Sequence, residues 1–279
     1  MSHTPRKRFG QHFLHDPGVI DRIIASIQPR STDAIVEIGP GQGAITLPLL
    51  QAAGRLQVIE VDRNLIAPLH ERCRAAGELT LHHADALRVD FCHLPRDASP
   101  LRVVGNLPYN ISTPLLFHLL SQVRCIRDMH FMLQKEVVDR LAAAPGGGQY
   151  GRLSVMVQYR CRVTRLFNIG PGAFHPPPRV ESAFVRLEPY RELPVEILDD
   201  EVLERVVRQA FAQRRKTLRN ALRGMLEEAE IRALGIDPGA RAEVLGLREF
   251  AAIANHAAGR RRGFDARIPC HAQLPWLPA

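Results

Sequence analysis

Ala34-Ile-Val-Glu-Ile-Gly-Pro-Gly-Gln-Gly43 is the stretch whose reading decides the fold. The apolar run at 34–38 predicts a short buried strand, and a helix is expected from Ala44. Between them Gly39, Gly41 and Gly43 form a turn with little side-chain bulk. Strand, glycine turn and helix make a nucleotide-cradling arrangement, because glycines let the backbone approach a ligand at a helix N-terminus. Gly39, Gly41 and Ala44 also satisfy the dinucleotide pattern G-x-G-x-x-A, so the signal defines the class better than the ligand.

Downstream, residues 56–61 predict a second strand carrying Glu60 near its end, where an acid would bind two ribose hydroxyls. Asp62 competes for that role, although its place in the loop also suits a helix cap. A third strand at 79–83 leads to Asp85, which suits either an acceptor for an adenine amine or a cap before Ala86-Leu87. To this point NAD and S-adenosylmethionine fit equally. The run Arg102-Val-Val-Gly-Asn-Leu-Pro-Tyr109 separates them. Val103 and Val104 end a buried strand, and Gly105 lets the backbone leave it sharply. Asn106 then offers an amide and Tyr109 a flat face, with Pro108 fixing the turn. Such a turn suits a planar ring whose exocyclic amine must react, and it has no role in hydride transfer. Alone, it also reads as an ordinary polar strand-to-helix turn.

The segment before this core runs Phe9-Gly-Gln-His-Phe-Leu14, followed by a helix with Asp16 as cap and Pro17 at its first position. Phe13 and Leu14 suit a hydrophobic staple or a ligand lid. Further helices are expected at 112–120, 135–143 and 152–159, a fifth strand at 126–133, and a strand pair at 161–169 and 179–187. Phe174-His-Pro-Pro-Pro178 must loop out between that pair. Phe174 fits a second stacking wall for a base or simple core filling. Alternating strands and helices followed by an antiparallel pair predict an α/β, doubly wound sheet of the Rossmann-like class. Ligands then sit at the carboxyl ends of the strands, where Gly39, Glu60, Asp85 and Asn106 fall.

Composition shifts near 189–194, and the pattern is helical from Glu201. Domains are expected at 1–190, including an N-terminal arm at 1–30, and at 195–258, with a poorly ordered tail at 259–279. A later helix group is expected from Asp237-Pro238, with Val244, Leu245, Leu247, Phe250 and Ile253 as its apolar set. From Arg205 to Arg223 there are seven basic residues and no acid, with part of the charge expected on one helix face. A solvated face is the usual origin of a charge run. Charge of one sign without compensating acids instead favours phosphate contact, through Arg214, Arg215, Lys216, Arg219 and Arg223.

The whole chain, 279 residues with 37 Lys and Arg against 29 Asp and Glu, leans towards a polyanionic partner. Its five cysteines show no metal-ligand spacing and are expected as reduced thiols in a cytoplasmic protein. No apolar run approaches the roughly 18 residues of a membrane span, and Arg6-Lys-Arg8 has no apolar segment behind it to make a secretory signal. A monomer is the default expectation.

The sequence resembles the ribosomal RNA adenine dimethyltransferase family, of the small-subunit type. The resemblance lies in Phe9-Gly-Gln-His-Phe-Leu14, Glu37-Ile-Gly-Pro-Gly-Gln-Gly43, Glu60-Val-Asp-Arg63 and Asn106-Leu-Pro-Tyr109. It continues in Gln134-Lys-Glu136, Tyr150-Gly-Arg-Leu-Ser154, Phe174-His-Pro-Pro-Pro-Arg-Val-Glu-Ser182 and Arg214-Arg-Lys-Thr-Leu-Arg-Asn220. It implies methyl transfer from S-adenosylmethionine to the N6 amines of two adjacent adenosines near the 3′ end of small-subunit rRNA, in an assembling particle. By motif it implies cofactor contacts from His12, Leu14, Gly39, Glu60, Asp85 and Asn106. Chemistry would fall to Asn106, Leu107, Pro108, Tyr109 and Phe174. His12 stands where the family commonly has Asn; its imidazole still donates or accepts a hydrogen bond. Large-subunit rRNA methyltransferases of the antibiotic-resistance type share the architecture, and a ribosome-assembly factor acting by binding is a different class.

Overall fold

A computed structural model describes residues 11–94 and 99–265, with side chains described through residue 260. Contacts divide the chain into two compact units: residues up to 143 with 157–192, and residues 144–156 with those from 193 on.

The first unit is built on seven strands in the order β4-β3-β2-β5-β6-β9-β7. These are β2 (Ala34–Ile38), β3 (Arg55–Glu60), β4 (Glu78–His83), β5 (Leu101–Asn106), β6 (Ile126–Gln134), β7 (Cys161–Ile169) and β9 (Ser182–Pro189). The first five run parallel, and β9 joins antiparallel to both β6 and β7. Parallel strands need crossover connections. Helices α2 (Thr46–Ala53), α3 (Arg63–Cys73) and α4 (Ser112–Leu120) supply three of them. Buried on both faces, β2 and β5 therefore carry apolar residues at consecutive rather than alternating positions, interrupted by Glu37 and Arg102. The doubly wound, Rossmann-like expectation holds. Helix α5 (Lys135–Leu141) follows β6 directly.

Helix α1 (Pro17–Ile27) begins as its sequence dictates: Pro17 occupies the first turn and the Asp16 carboxylate accepts the Val19 N–H at 3.0 Å. Phe13 and Leu14 are held in place by strand pairing, which the sequence did not announce. They make a two-residue strand, β1 (Phe13–Leu14), paired antiparallel with β8 (Phe174–His175).

Gly105 is required for a reason different from the one expected. A Cβ built there would lie 2.6 Å from the Ile38 carbonyl oxygen, so only a bare backbone passes between β5 and β2. At the other end of β5, Arg102 is 4% exposed and carries a concentrated set of bonds. Its Nε donates to both Asp128 oxygens at 3.0 Å, and Nη1 donates to Asp33 at 2.7 Å. The same guanidinium reaches the Ile27 carbonyl at 2.6 Å and the Gln28 carbonyl at 3.3 Å, satisfying acceptors at the end of α1.

The thiol expectation fails at one pair. Short helical turns at Phe91–His93 and Val123–Cys125 bring the Cα atoms of Cys92 and Cys125 to 5.4 Å, and the two are joined as a disulfide. Sequence spacing concealed this because the two turns flank different strands. Cys73 and Cys161 are free and buried, and burial pushes the Cys161 thiol up to about 12. Cys270 lies outside the described residues.

The second unit contains α7 (Asp200–Phe211), the short α8 (Leu218–Ala221), α9 (Glu228–Ala233) and α10 (Leu247–Asp265). Most of α6 (Arg152–Arg160) precedes the return to the first unit at residue 157. Tyr150 reaches Phe211 edge-on at 6.1 Å, and Phe211 packs on Phe250 at 5.7 Å. The Gly146 N–H donates to the Glu243 carbonyl at 2.7 Å. Val244 is 54% exposed, so it does not belong to the apolar set assigned to it from the sequence. The expected disorder from 259 gives way to helix through Asp265; the rest of the tail lies outside the described residues. No described helix is long and apolar enough to cross a membrane.

Burial raises the Asp33 and Asp128 pKa values, but their hydrogen bonds and the arginine charges outweigh it, and both end below the ordinary 3.8. A depressed acid stabilises the fold above its unfolded pKa and loses that contribution as pH falls through the folded value. Arg102→Ala should cost about 3–5 kcal/mol by leaving buried carboxylates unpaired. Urea unfolding at pH 7 measures this cost, which should shrink below pH 3.8 as both acids protonate.

Candidate active site

The carboxyl ends of β2, β3, β4 and β5 open onto a cavity of about 250 Å³. It lies where an open α/β sheet places its ligand. His12, Leu14, Gly39, Glu60, Asp85, Asn106, Leu107, Pro108 and Tyr109 all line it, although they span almost a hundred positions of chain.

Gly39 and Gly41 have φ of 67° and 57°, a left-handed backbone that glycine adopts without strain. A Cβ at Gly41 would also meet the Phe13 ring at 3.1 Å, so the glycine turn passes directly beneath the N-terminal arm. The Glu60 carboxylate is fixed by two backbone donors, the Asp62 N–H at 2.7 Å and the Gly41 N–H at 3.4 Å. Burial raises its pKa above the usual carboxylate value, and those backbone bonds offset only part of the rise. Asp62 caps α3 by accepting the Asn64 N–H at 3.2 Å and also accepts from Gln11. Asp85 does both things its sequence allowed: it accepts the Leu87 N–H at 3.0 Å and faces the cavity.

Asn106 ends β5 with its side-chain NH2 donating to the His12 carbonyl at 3.0 Å. Its amide oxygen takes no hydrogen bond among the described residues. The Pro108 carbonyl accepts the Ile111 N–H at 3.2 Å, whereas the Leu107 carbonyl accepts none among the described residues. The Tyr109 hydroxyl pairs with the Ser182 hydroxyl at 2.8 Å, which orients its ring. His12 stacks on Tyr109 with centroids 5.6 Å apart, and its Nδ1 meets the Pro176 carbonyl at 2.7 Å. The arm, the Asn106 turn and the proline-rich loop are therefore joined by two hydrogen bonds and one stack, and Ser182 ties the turn to the start of β9 by a third.

Phe174 departs from its expected place on the cavity wall. It is 2% exposed and packs with Leu14, Ile169 and Phe184, because pairing with Leu14 turns its side chain inward and leaves His175 outside. The five basic residues lie in the second unit and are all exposed. Arg214, Arg215 and Lys216 occupy a turn between α7 and α8 rather than a helix face, with Arg219 on α8 and Arg223 just beyond it. Arg214 donates to the Gly148 carbonyl at 2.7 Å, and Arg219 pairs with Glu228 at 3.6 Å. Arg215, Lys216 and Arg223 make no ion pair among the described residues.

Phe13, read from the sequence as a staple or a ligand lid, lines the cavity, and sequence reasoning missed Glu37 as a lining residue. The available signal for Glu37 was an acid inside the apolar run of β2. The Glu37 side chain is buried, with neither oxygen completing a hydrogen bond among the described residues. Burial drives its pKa up to about 8; the Thr46 hydroxyl opposes this and the nearby Glu60 charge adds to it. An orphaned carboxyl beside a glycine turn fits a ligand that brings N–H donors or positive charge. S-Adenosylmethionine carries an ammonium, a sulfonium and a ribose diol, so the cavity's donor and acceptor set fits it.

A family model described as "Ribosomal RNA adenine dimethylase" matches residues 2–258. The ribosomal RNA small subunit methyltransferase A of Pseudomonas fluorescens is 58% identical over 256 residues, covering 92% of this chain and 94% of that protein. The protein of the same name from Nitrosococcus oceani is also 58% identical, over 92% of this chain and 97% of its own length. Among solved structures, a dimethyladenosine transferase from Plasmodium falciparum is similar with TM-score 0.74 and 27% identity, covering 90% of this chain and 98% of that one. The 23S rRNA methyltransferase ErmE shares the fold at TM-score 0.68 and 23% identity, over 88% of this chain and 99% of its own.

A raised acid pKa means the folded state holds a proton that the unfolded chain has lost, so stability falls as pH rises between the two values. For Glu37 that window runs from 4.5 to about 8. Glu37→Gln should therefore gain stability relative to the parent across this window, with the difference level above it. Urea unfolding over a pH series checks this, and a constant difference would remove the buried-proton account.

Proposed function

The chain belongs to the ribosomal RNA adenine dimethylase family, and from that premise we propose its reaction, substrate and site roles. The enzyme dimethylates the N6 amines of two adjacent adenosines in the hairpin loop near the 3′ end of small-subunit (16S) rRNA, during ribosome biogenesis in the cytoplasm. The substrate assignment is supported by identity of 58% to proteins named as small-subunit methyltransferases over 92% of this chain. The observation that carries the chemistry is the Asn106 amide: its NH2 is committed to the His12 carbonyl and its oxygen is left for a ligand.

His12, Leu14, Gly39, Glu60, Asp85 and Asn106 would hold S-adenosylmethionine. Bound there, it supplies an electrophilic methyl group on a sulfonium. Glu60 would accept hydrogen bonds from the ribose hydroxyls, and Asp85 one from the adenine amine of the cofactor.

An adenine N6 amine is a weak nucleophile because its lone pair is delocalised into the ring. The Asn106 amide oxygen would accept one N6–H, and the open Leu107 carbonyl is the better second acceptor because Pro108 already accepts from Ile111. Two acceptors placed on the amine favour a pyramidal nitrogen and aim its lone pair. They would also stabilise the positive charge that gathers on N6 as its bond to the methyl carbon forms and the sulfonium carbon–sulfur bond breaks, the surplus N6 proton then passing to water. No strong base is needed, and positioning supplies most of the effect.

His12 covers one side of Tyr109, so the target adenine would use the remaining exposed part of that ring. Base–aromatic stacking of this kind contributes about 1–3 kcal/mol. Phe174 would support this wall from the core rather than touch the base. Arg215, Lys216 and Arg223, with Arg214 and Arg219, would bind rRNA phosphates, making the second unit the RNA-binding domain and the first unit the catalytic one. The protein acts as a monomer on the assembling small subunit.

The test is transfer of labelled methyl from S-adenosylmethionine to immature small subunits, with large-subunit RNA as control. Adjacent dimethyladenosines in the small-subunit RNA are expected. Label confined to large-subunit RNA would overturn the substrate assignment, and tight binding without label would indicate an assembly factor. Asn106→Ala should lower transfer by about 10²–10³-fold while leaving RNA affinity intact; near-normal turnover would refute the role given to the amide.

A further inference from the structure

At the opposite end of the same parallel strands is a polar groove of about 840 Å³. It lies at the end of α1, the starts of β5 and β6, and the end of β9. Because β5 alone runs for ~17 Å at ~3.3 Å per residue, this groove and the Asn106 turn cannot contact the same nucleotide. Arginines dominate it: Arg30, Arg124, Arg127, Arg186 and Arg191 line it, with Arg102 at its floor.

The inner members are neutralised by acids. Arg102 and Arg127 share Asp33 and Asp128, and Arg186 lies 3.3 Å from Glu188. The outer members are not: Arg30, Arg124 and Arg191 make no ion pair among the described residues. Three uncompensated guanidiniums around a concave surface produce a local positive field. A second feature points into the same place. His130 is 1% exposed and lines the groove; its Nδ1 approaches Asp128 to 3.3 Å, and neither ring nitrogen completes a hydrogen bond among the described residues. The site thus combines a fixed inner layer of charge, a buried imidazole with no completed hydrogen bond and three unpaired planar donors that suit phosphate oxygens.

We propose that this groove binds the phosphodiester backbone of a second segment of the substrate rRNA, away from the target adenosines. The inference rests on the rRNA substrate proposed above. Such a contact would select a folded particle, because an isolated hairpin placed at the Asn106 turn would not extend to it. The inner ion pairs hold the shape of the groove, and Arg30, Arg124 and Arg191 make the contacts.

The test compares the parent enzyme with a variant carrying Arg30→Gln, Arg124→Gln and Arg191→Gln. Affinity for immature small subunits is measured over a salt series. Each lost phosphate contact lowers the slope of log K against log salt by about 0.7–0.9, so a fall of about 2–3 is expected. Binding in 0.1 M salt should weaken at least tenfold, with unchanged kcat on an isolated hairpin. Unchanged affinity and slope would overturn the proposal. So would loss of particle binding with normal binding to protein-free rRNA, which would assign the groove to an acidic ribosomal protein. If the triple variant loses hairpin kcat, Arg191→Gln and Arg191→Lys decide the matter singly. The first should lose about one unit of slope and the second should keep it; equal loss in both would overturn phosphate contact. Failure of the parent to methylate either RNA would instead strike the proposed reaction and leave the salt-slope comparison to judge the groove.

Discussion

Strand β5 is held at both ends, and the site depends on that restraint. Below, the Arg102 guanidinium binds Asp33, Asp128 and two carbonyls at the end of α1. Above, Gly105 passes the Ile38 carbonyl so closely that no side chain fits. Between them Val103 and Val104 are completely buried. A strand fixed in this way cannot slip by one residue without placing a Cβ against Ile38 and turning Arg102 away from its acids. Asn106 therefore emerges at one defined height, beside the glycine turn that follows β2. The arginine is costly to desolvate, and its worth lies as much in register as in stability.

The cleft is completed by chain far from β5. The two-residue strand β1 reaches β8 across about 160 positions, and its pairing brings the His12 carbonyl to the Asn106 amide. That bond orients the amide, since the NH2 faces the arm and the oxygen has to face elsewhere. Tyr109 is restrained similarly, by Ser182 on its hydroxyl and His12 on its ring. Under the proposed roles, acceptors pre-set in this way would lose little freedom when a base arrives, which is where such a site would gain its rate. The imidazole at position 12 serves here as a spacer between Tyr109 and the Pro176 carbonyl, while the bond to Asn106 comes from its backbone.

Much of the sheet was legible because its signals are local. The run 34–38 is the observed β2, the Asp16 and Asp62 caps form as their positions suggest, and helix 112–120 has its expected bounds. Gly39, Glu60, Asp85 and Asn106 converge because strand ends converge in this topology. What stayed hidden depends on distant partners. Pairing of β1 with β8 leaves no periodicity in two residues, and it is this pairing that turns Phe174 inward. Residues 144–156 join the second unit through contacts such as Gly146 to Glu243, which the Pro-Gly run at 145–148 marks only as a loop. Arg102 reads as a polar interruption in an apolar strand until Asp33 and Asp128 are brought to it, and the basic run 214–216 proves to be a turn because α7 ends at Phe211.

The central claim is that the Asn106 oxygen, oriented by its amide bond to His12, receives the reacting amine. A crystal structure with S-adenosylhomocysteine and an RNA hairpin bearing the adjacent adenosines tests it most directly. The account predicts N6 at ~2.7–3.2 Å from both the Asn106 amide oxygen and the Leu107 carbonyl, with the base against Tyr109. An adenine seated away from this turn, or an amide rotated so that its NH2 faces N6, would contradict it.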